Sequence, residues 1–106
     1  MEYIGNAFSP SMIRGDALIR IEAITREEFC NKRYEAISII GHPEIAEHFG
    51  LKLNRQTIIL SPGDELYIVM PRVRPYENKR VENGAKYEFV PEEKGYIYKK
   101  ITVEVE

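Results

Sequence analysis

The most regular pattern in the chain lies at residues 17–24, where Ala17, Ile19, Ile21 and Ala23 alternate with the charged Arg20 and Glu22. A period of two sends successive side chains to opposite faces and predicts a half-buried strand. Residues 95–105 repeat the period, with Ile97, Lys99, Ile101, Val103 and Val105 set against Tyr96, Tyr98, Lys100, Thr102 and Glu104. They predict a last strand with one wetter face. The run Leu66-Tyr67-Ile68-Val69-Met70 has no polar interruption at all. Such a run predicts burial on both faces, as in the centre of a sheet with helices on either side, within a strand spanning residues 65–73. Shorter apolar runs predict further strands at residues 1–8, 36–40 and 57–60.

Helical and turn signals fill the gaps. Thr25-Arg26-Glu27-Glu28 is a capping box, with Thr25 as cap and Glu28 reaching back, and predicts a helix to about Arg33. Pro43 at a first helical position and Gly50 as a stop bound a second helix over residues 43–49. Ile45, Ala46 and Phe49 form its apolar face, and His48 falls outside it, toward solvent. Pro10 and Gly15 mark residues 9–16 as a loop, and Ser61-Pro62-Gly63-Asp64 is a turn between two strands. Pro71 and Pro75 bracket Arg72-Val73-Arg74 and end regular pairing. The polar stretch 76–86 suits a flap over a ligand and equally an ordinary surface loop. The elements together predict an α/β fold: one domain, residues 1–106, with a mixed β-sheet flanked by a few short helices.

Composition narrows the functional classes. The 106 residues suffice for one core, and neither an eighteen-residue apolar run nor a signal-peptide pattern is present, so a cytoplasmic location and no membrane contact are expected. Cys30 is the single cysteine, which rules out an internal disulfide and reads as a small packing residue. With two histidines in all, no metal-ligand constellation stands out, and neither metal nor cofactor is expected. The net charge of −2 argues against duplex DNA as a partner. It hides an asymmetry, because residues 51–80 carry six basic and three acidic side chains, among them Arg55, Arg72, Arg74, Lys79 and Arg80. Such a cluster is a solvated loop or a phosphate cradle.

The candidate chemistry centres on Ser38-Ile39-Ile40-Gly41-His42-Pro43. A strand running into a helix at Gly41-His42 places the histidine at a corner, beside the unpaired N–H groups of the helix's first turn. A histidine there is either a helix cap or an acid-base group. Two further motifs join it: Asn6-Ala7-Phe8-Ser9, where the first strand runs into a loop, and Asn54-Arg55, which introduces the strand at residues 57–60.

With Tyr3-Ile4-Gly5-Asn6-Ala7-Phe8-Ser9, Ile39-Ile40-Gly41-His42, Asn54-Arg55, and Leu66-Tyr67-Ile68-Val69 followed by Arg74 and Glu77, the chain resembles a family over residues 1 to about 80. That family is the small viral and bacterial ring nucleases that act as anti-CRISPR proteins against type III systems. The resemblance implies a homodimer, in the host cytoplasm if viral, that binds cyclic tetra-adenylate. It implies metal-free cleavage of that cyclic oligoadenylate to linear di-adenylate with 2′,3′-cyclic phosphate ends. Carried over, His42 is the general acid, Glu77 the carboxylate that orients it, and Arg74 and Arg55 the cations around the scissile phosphate. Asn6, Ser9, Ser11, Gly41 and Asn54 take ligand-binding positions. The chain departs from the family pattern at Ile45, where threonine is common, and at Asn78, where glycine is usual.

The residue types suit such a reaction. The ribose 2′-hydroxyl attacks in line, and the protein must stabilise charge on the phosphorane and protonate the departing 5′-oxygen. Arginine's planar fork holds phosphate oxygens, and imidazole exchanges protons near neutral pH. Two other functions remain open for the same residues: sequestering a cyclic oligonucleotide without cutting it, and a regulatory module that binds nucleic acid through the basic cluster.

Overall fold

The computed structural model describes residues 1–71, 74–75, 87–88 and 95–105, the middle two segments as backbone only. Strand β1 (Glu2–Gly5) leads into a 3-10 turn (Pro10–Met12), strand β2 (Ile19–Ala23), helix α1 (Arg26–Asn31) and the two-residue strand β3 (Ile37–Ser38). Helix α2 (Pro43–Phe49), strand β4 (Glu65–Pro71), the short pair β5 (Arg74–Pro75) and β6 (Tyr87–Glu88), and strand β7 (Tyr96–Val103) complete the chain. The main sheet is mixed and five-stranded, in the order β2-β7-β4-β1-β3. β1 lies parallel to both β3 and β4, whereas β7 runs antiparallel to β4 and β2. β5 and β6 pair separately, Arg74 opposite Glu88. The α/β class, one mixed sheet with short helices, is the one the sequence patterning predicts.

Alternation along β4 divides the core in two. Tyr67 and Val69 join Ile4, Tyr96 and Tyr98 on one face, packed against Phe29 of α1 and Ile45, Ala46 and Phe49 of α2. Leu66 and Ile68 join Ile101 and Val103 on the other, packed against Met12 and Leu60. The unbroken apolar run of β4 is thus buried on both sides, but among the described residues helices pack on one side only, where the sequence predicted them on both. Both helices lie on one face, and irregular segments around residues 8–13 and 58–60 cover the other.

The expected strand at residues 57–60 is likewise not formed. Ile58 and Leu60 point into the second core, and Leu60 makes only an isolated bridge to Ile13. Its apolar residues mark packing, not pairing. The strand expected at residues 36–40 pairs with β1 only at Ile37 and Ser38, and Ile40 then bridges to Leu53. β7 changes its buried parity midway: Tyr96 and Tyr98 are buried on the helix side, Ile101 and Val103 on the other. Its expected single wet face is therefore absent.

The capping predictions hold at the atomic level. Thr25 Oγ1 accepts the Glu28 N–H at 3.1 Å, and Glu28 Oε1 accepts the Thr25 N–H at 3.2 Å. Gly50 ends α2 at φ +67°, a left-handed conformation that glycine adopts without a Cβ penalty. In the turn at residues 61–64, the buried Asp64 carboxylate accepts the Ser61 N–H at 2.9 Å. Cys30 is partly buried against the helix-side core, as a packing residue.

Candidate functional site

β1 and β3 run in parallel, so their carboxyl ends open on the same side of the sheet, where crevices in open α/β sheets hold ligands. Asn6 follows β1, and Gly41 and His42 follow β3. A Cβ on Gly5 would sit 2.9 Å from Ile39 Cγ1, so the missing side chain is what lets these two chain segments lie this close. The Ile39 N–H donates to the Ile4 carbonyl at 2.8 Å and continues the pairing beyond β3.

Gly41 is held from both sides. Its N–H donates to Asn6 Oδ1 at 3.0 Å, and its carbonyl accepts from Arg55 Nε at 3.2 Å. Asn54 fixes the same segment one step earlier: its Nδ2 donates to the Ser38 carbonyl at 2.9 Å and its N–H to the Ile40 carbonyl at 2.8 Å. Ser38 Oγ in turn donates to the Lys52 carbonyl at 2.6 Å. Asn6, Gly41, His42, Asn54 and Arg55, five of the sequence-predicted site residues, therefore form one bonded unit. The side chains of Asn6, Asn54 and Arg55 bond main-chain groups of residues 38–41. That role differs from direct ligand contact, and nothing in the residue types announced it.

His42 is the N-cap of α2, at φ −107° and ψ 113°, and its Nδ1 accepts the Ile45 N–H at 3.4 Å. The bond is long for its type; while it is made, Nδ1 carries no proton and Nε2 is the nitrogen left to donate. Ile45 itself is buried in the helix-side core, so where the family pattern has threonine this chain has a packing residue.

Ser9 and Ser11 are exposed and bonded to each other, Oγ to Oγ at 2.9 Å, at the start of the 3-10 turn. The Arg74 side chain, Glu77 and the rest of the basic segment, Arg72, Lys79 and Arg80, lie outside the described residues, as does the polar stretch 76–86. Among the described residues no group of three or more His, Cys, Asp or Glu is disposed to hold a metal ion. No helix among them is long and apolar enough to cross a membrane.

His48 is exposed, as expected, yet it stacks on Tyr96 with ring centroids 5.2 Å apart. This contact extends the aromatic cluster of Phe29, Phe49, Tyr96 and Tyr98 to the surface. Burial, with the Glu44 charge second, pushes the Tyr96 hydroxyl above the usual tyrosine range.

The other titration shifts lie away from the site, at the start of β1 and β4. Lys32 Nζ bonds Glu2 Oε2 at 2.7 Å, Lys100 Nζ bonds Glu65 Oε2 at 2.7 Å, and the Tyr67 hydroxyl bridges the two carboxylates at 3.3 and 3.2 Å. The hydrogen bond to Glu2 raises Lys32, the bond to Glu65 raises Lys100, and the bond from Lys100 holds Glu65 below the usual carboxylate range. Such a network ties strands together; it does not act on a ligand at the far end of the sheet.

No protein-family model and no curated protein matches the chain. A solved viral protein shares its fold. B116 of Sulfolobus turreted icosahedral virus superposes with a TM-score of 0.69 at 24% sequence identity, covering 95% of this chain and 97% of that one. Alignment over nearly the whole of both chains makes the likeness one of complete architecture, and at this identity it concerns the fold alone.

Proposed function

We propose that this chain is a viral-type, metal-independent ring nuclease that opens cyclic tetra-adenylate to linear di-adenylate, and that it works as a homodimer. The observation that carries the reading is the bonded unit at the strand ends, in which Asn6 and Arg55 grip Gly41 and so orient His42. Its members are the residues through which the sequence resembles the ring nucleases, and similarity of fold to a viral protein is compatible with that origin.

In the proposed reaction the 2′-hydroxyl of one adenylate attacks the adjacent phosphorus, the phosphorane collapses, and the 5′-oxygen leaves with a proton. The leaving oxygen takes that proton from His42 Nε2, and a 2′,3′-cyclic phosphate remains. For an imidazolium to be the acid, Nδ1 must also carry a proton, which ends its bond with the Ile45 N–H. Catalysis and capping therefore compete for one nitrogen. Arginine charge supports the phosphorane, and a two-fold axis presents equivalent sites to the two halves of a four-fold ring.

The cap also favours a second reading, in which His42 stays structural and the protein sequesters the ring intact. Incubation of the purified chain with cyclic tri-, tetra- and hexa-adenylate in excess chelator, with the products identified, separates the readings. Di-adenylate with cyclic phosphate ends from the tetra-adenylate ring is the expected result. Tight binding of an intact ring selects sequestration, and steeply salt-dependent binding of long polynucleotides in preference to rings selects the nucleic-acid module.

A further inference from the structure

Among the described residues the main sheet has two edges, and they differ. β3 offers two residues, whereas β2 offers five, without proline, glycine or bulge. The Glu104 N–H donates to the Leu18 carbonyl at 2.9 Å and the Ile24 N–H to the Tyr98 carbonyl at 3.2 Å. Even-numbered residues of this strand therefore turn their main-chain groups inward to β7, and by alternation Ile19, Ile21 and Ala23 turn theirs outward. Ile21 keeps 61% of its surface in water and Leu18 keeps 74%. An edge of this kind is a template for another strand unless charge opposes it.

The charges on β2 do not oppose every partner. Around a two-fold axis at Ile21, antiparallel pairing sets Arg20 opposite Glu22 of the second copy and Glu22 opposite its Arg20. Both are non-hydrogen-bonded positions, where facing side chains lie closest. Moving the axis one residue either way sets Arg20 against Arg20 or Glu22 against Glu22. One register is thus favoured and its neighbours are repelled. We propose that β2 pairs antiparallel with β2 of a second copy of this chain, centred on Ile21, joining two five-stranded sheets into one. A strand pair this short covers less than the roughly 1,200 Å² of a stable interface, so the association depends on protein concentration. It uses the edge opposite β3 and is separate from any dimer formed around His42.

Disulfide trapping tests the register without any nucleotide, and so independently of the ring-nuclease reading. In a Cys30→Ser background, Ile21→Cys places two thiols at facing positions about 5.5 Å apart between Cα atoms, within disulfide reach. Ala23→Cys places them four residues apart along the pair, about 13 Å, out of reach. Oxidation is expected to crosslink the Ile21→Cys chain at least tenfold more than the Ala23→Cys chain. Adding Arg20→Glu should reduce the yield severalfold, and adding Glu22→Arg to that should restore it. Absence of crosslinking in the Ile21→Cys chain at high concentration overturns the proposal. Equal crosslinking by both chains, or yields indifferent to the charge reversals, overturns it as well.

Discussion

At the residue scale the site hangs on the Gly41 peptide, whose N–H donates to Asn6 Oδ1 and whose carbonyl accepts from Arg55 Nε. His42 was visible as a corner residue because Gly41 and Pro43 flank it, and Pro43 does start α2. That Asn6 and Arg55 spend their side-chain atoms on the Gly41 peptide was not visible, because an amide or a guanidinium in a loop suits a phosphate equally well. Asn6→Ala removes the acceptor of the Gly41 N–H and should cost about 1 kcal/mol in urea unfolding. An unchanged midpoint would show that water replaces the amide without loss. Gly5→Ala drives a Cβ to 2.9 Å from Ile39 Cγ1, in the middle of a branched side chain with little room to turn. A loss of about 1–3 kcal/mol is expected, since overpacking at buried positions costs that much. Stability equal to that of the unaltered chain would mean that the close approach of the two segments is not needed.

At the scale of elements, legibility followed local chemistry. The capping box at Thr25, the Pro43 start and the Gly50 stop were readable because each is satisfied within a few residues. The run at residues 57–60 reads as a strand yet packs on a sheet face, because burial against a face and membership of a sheet use the same apolar residues. The placement of both helices on one face depends on the path of the chain, which periodicity does not carry. The ion-pair network at the start of β1 and β4 carries no local sequence signal, being assembled from the end of α1 and from β1, β4 and β7. Its pH dependence has a definite sign. Glu65 is held below the usual carboxylate value, so its contribution is present above that value and lost as pH falls through the folded-state pKa. Lys32 and Lys100 are raised, so theirs is present below the usual lysine value and lost as pH rises beyond it. The partners are under a third exposed, and Glu65→Gln should cost about 1 kcal/mol near neutrality, with a shallower loss of stability in acid. Urea titrations at both pH values check this; parallel acid profiles for the two chains would remove Glu65 from the explanation.

At the scale of the molecule, a mixed sheet with two parallel strands ending side by side puts Asn6, Gly41 and His42 at one rim and the charged network at the other. The fold it shares with the viral B116 leaves the chemistry open, so the proposed function rests on what His42 does. A general acid acts as the leaving group departs, whereas a cap acts on α2 alone. The two are separated by single-turnover cleavage of cyclic tetra-adenylate with the His42→Ala chain, alongside its affinity for the ring and its unfolding midpoint. The expected result is a rate lower by about a hundred- to ten-thousand-fold, with ring affinity nearly unchanged and a stability loss of about 1 kcal/mol. A folded His42→Ala chain that cuts the ring as fast as the unaltered protein would contradict the assignment and leave His42 as a cap.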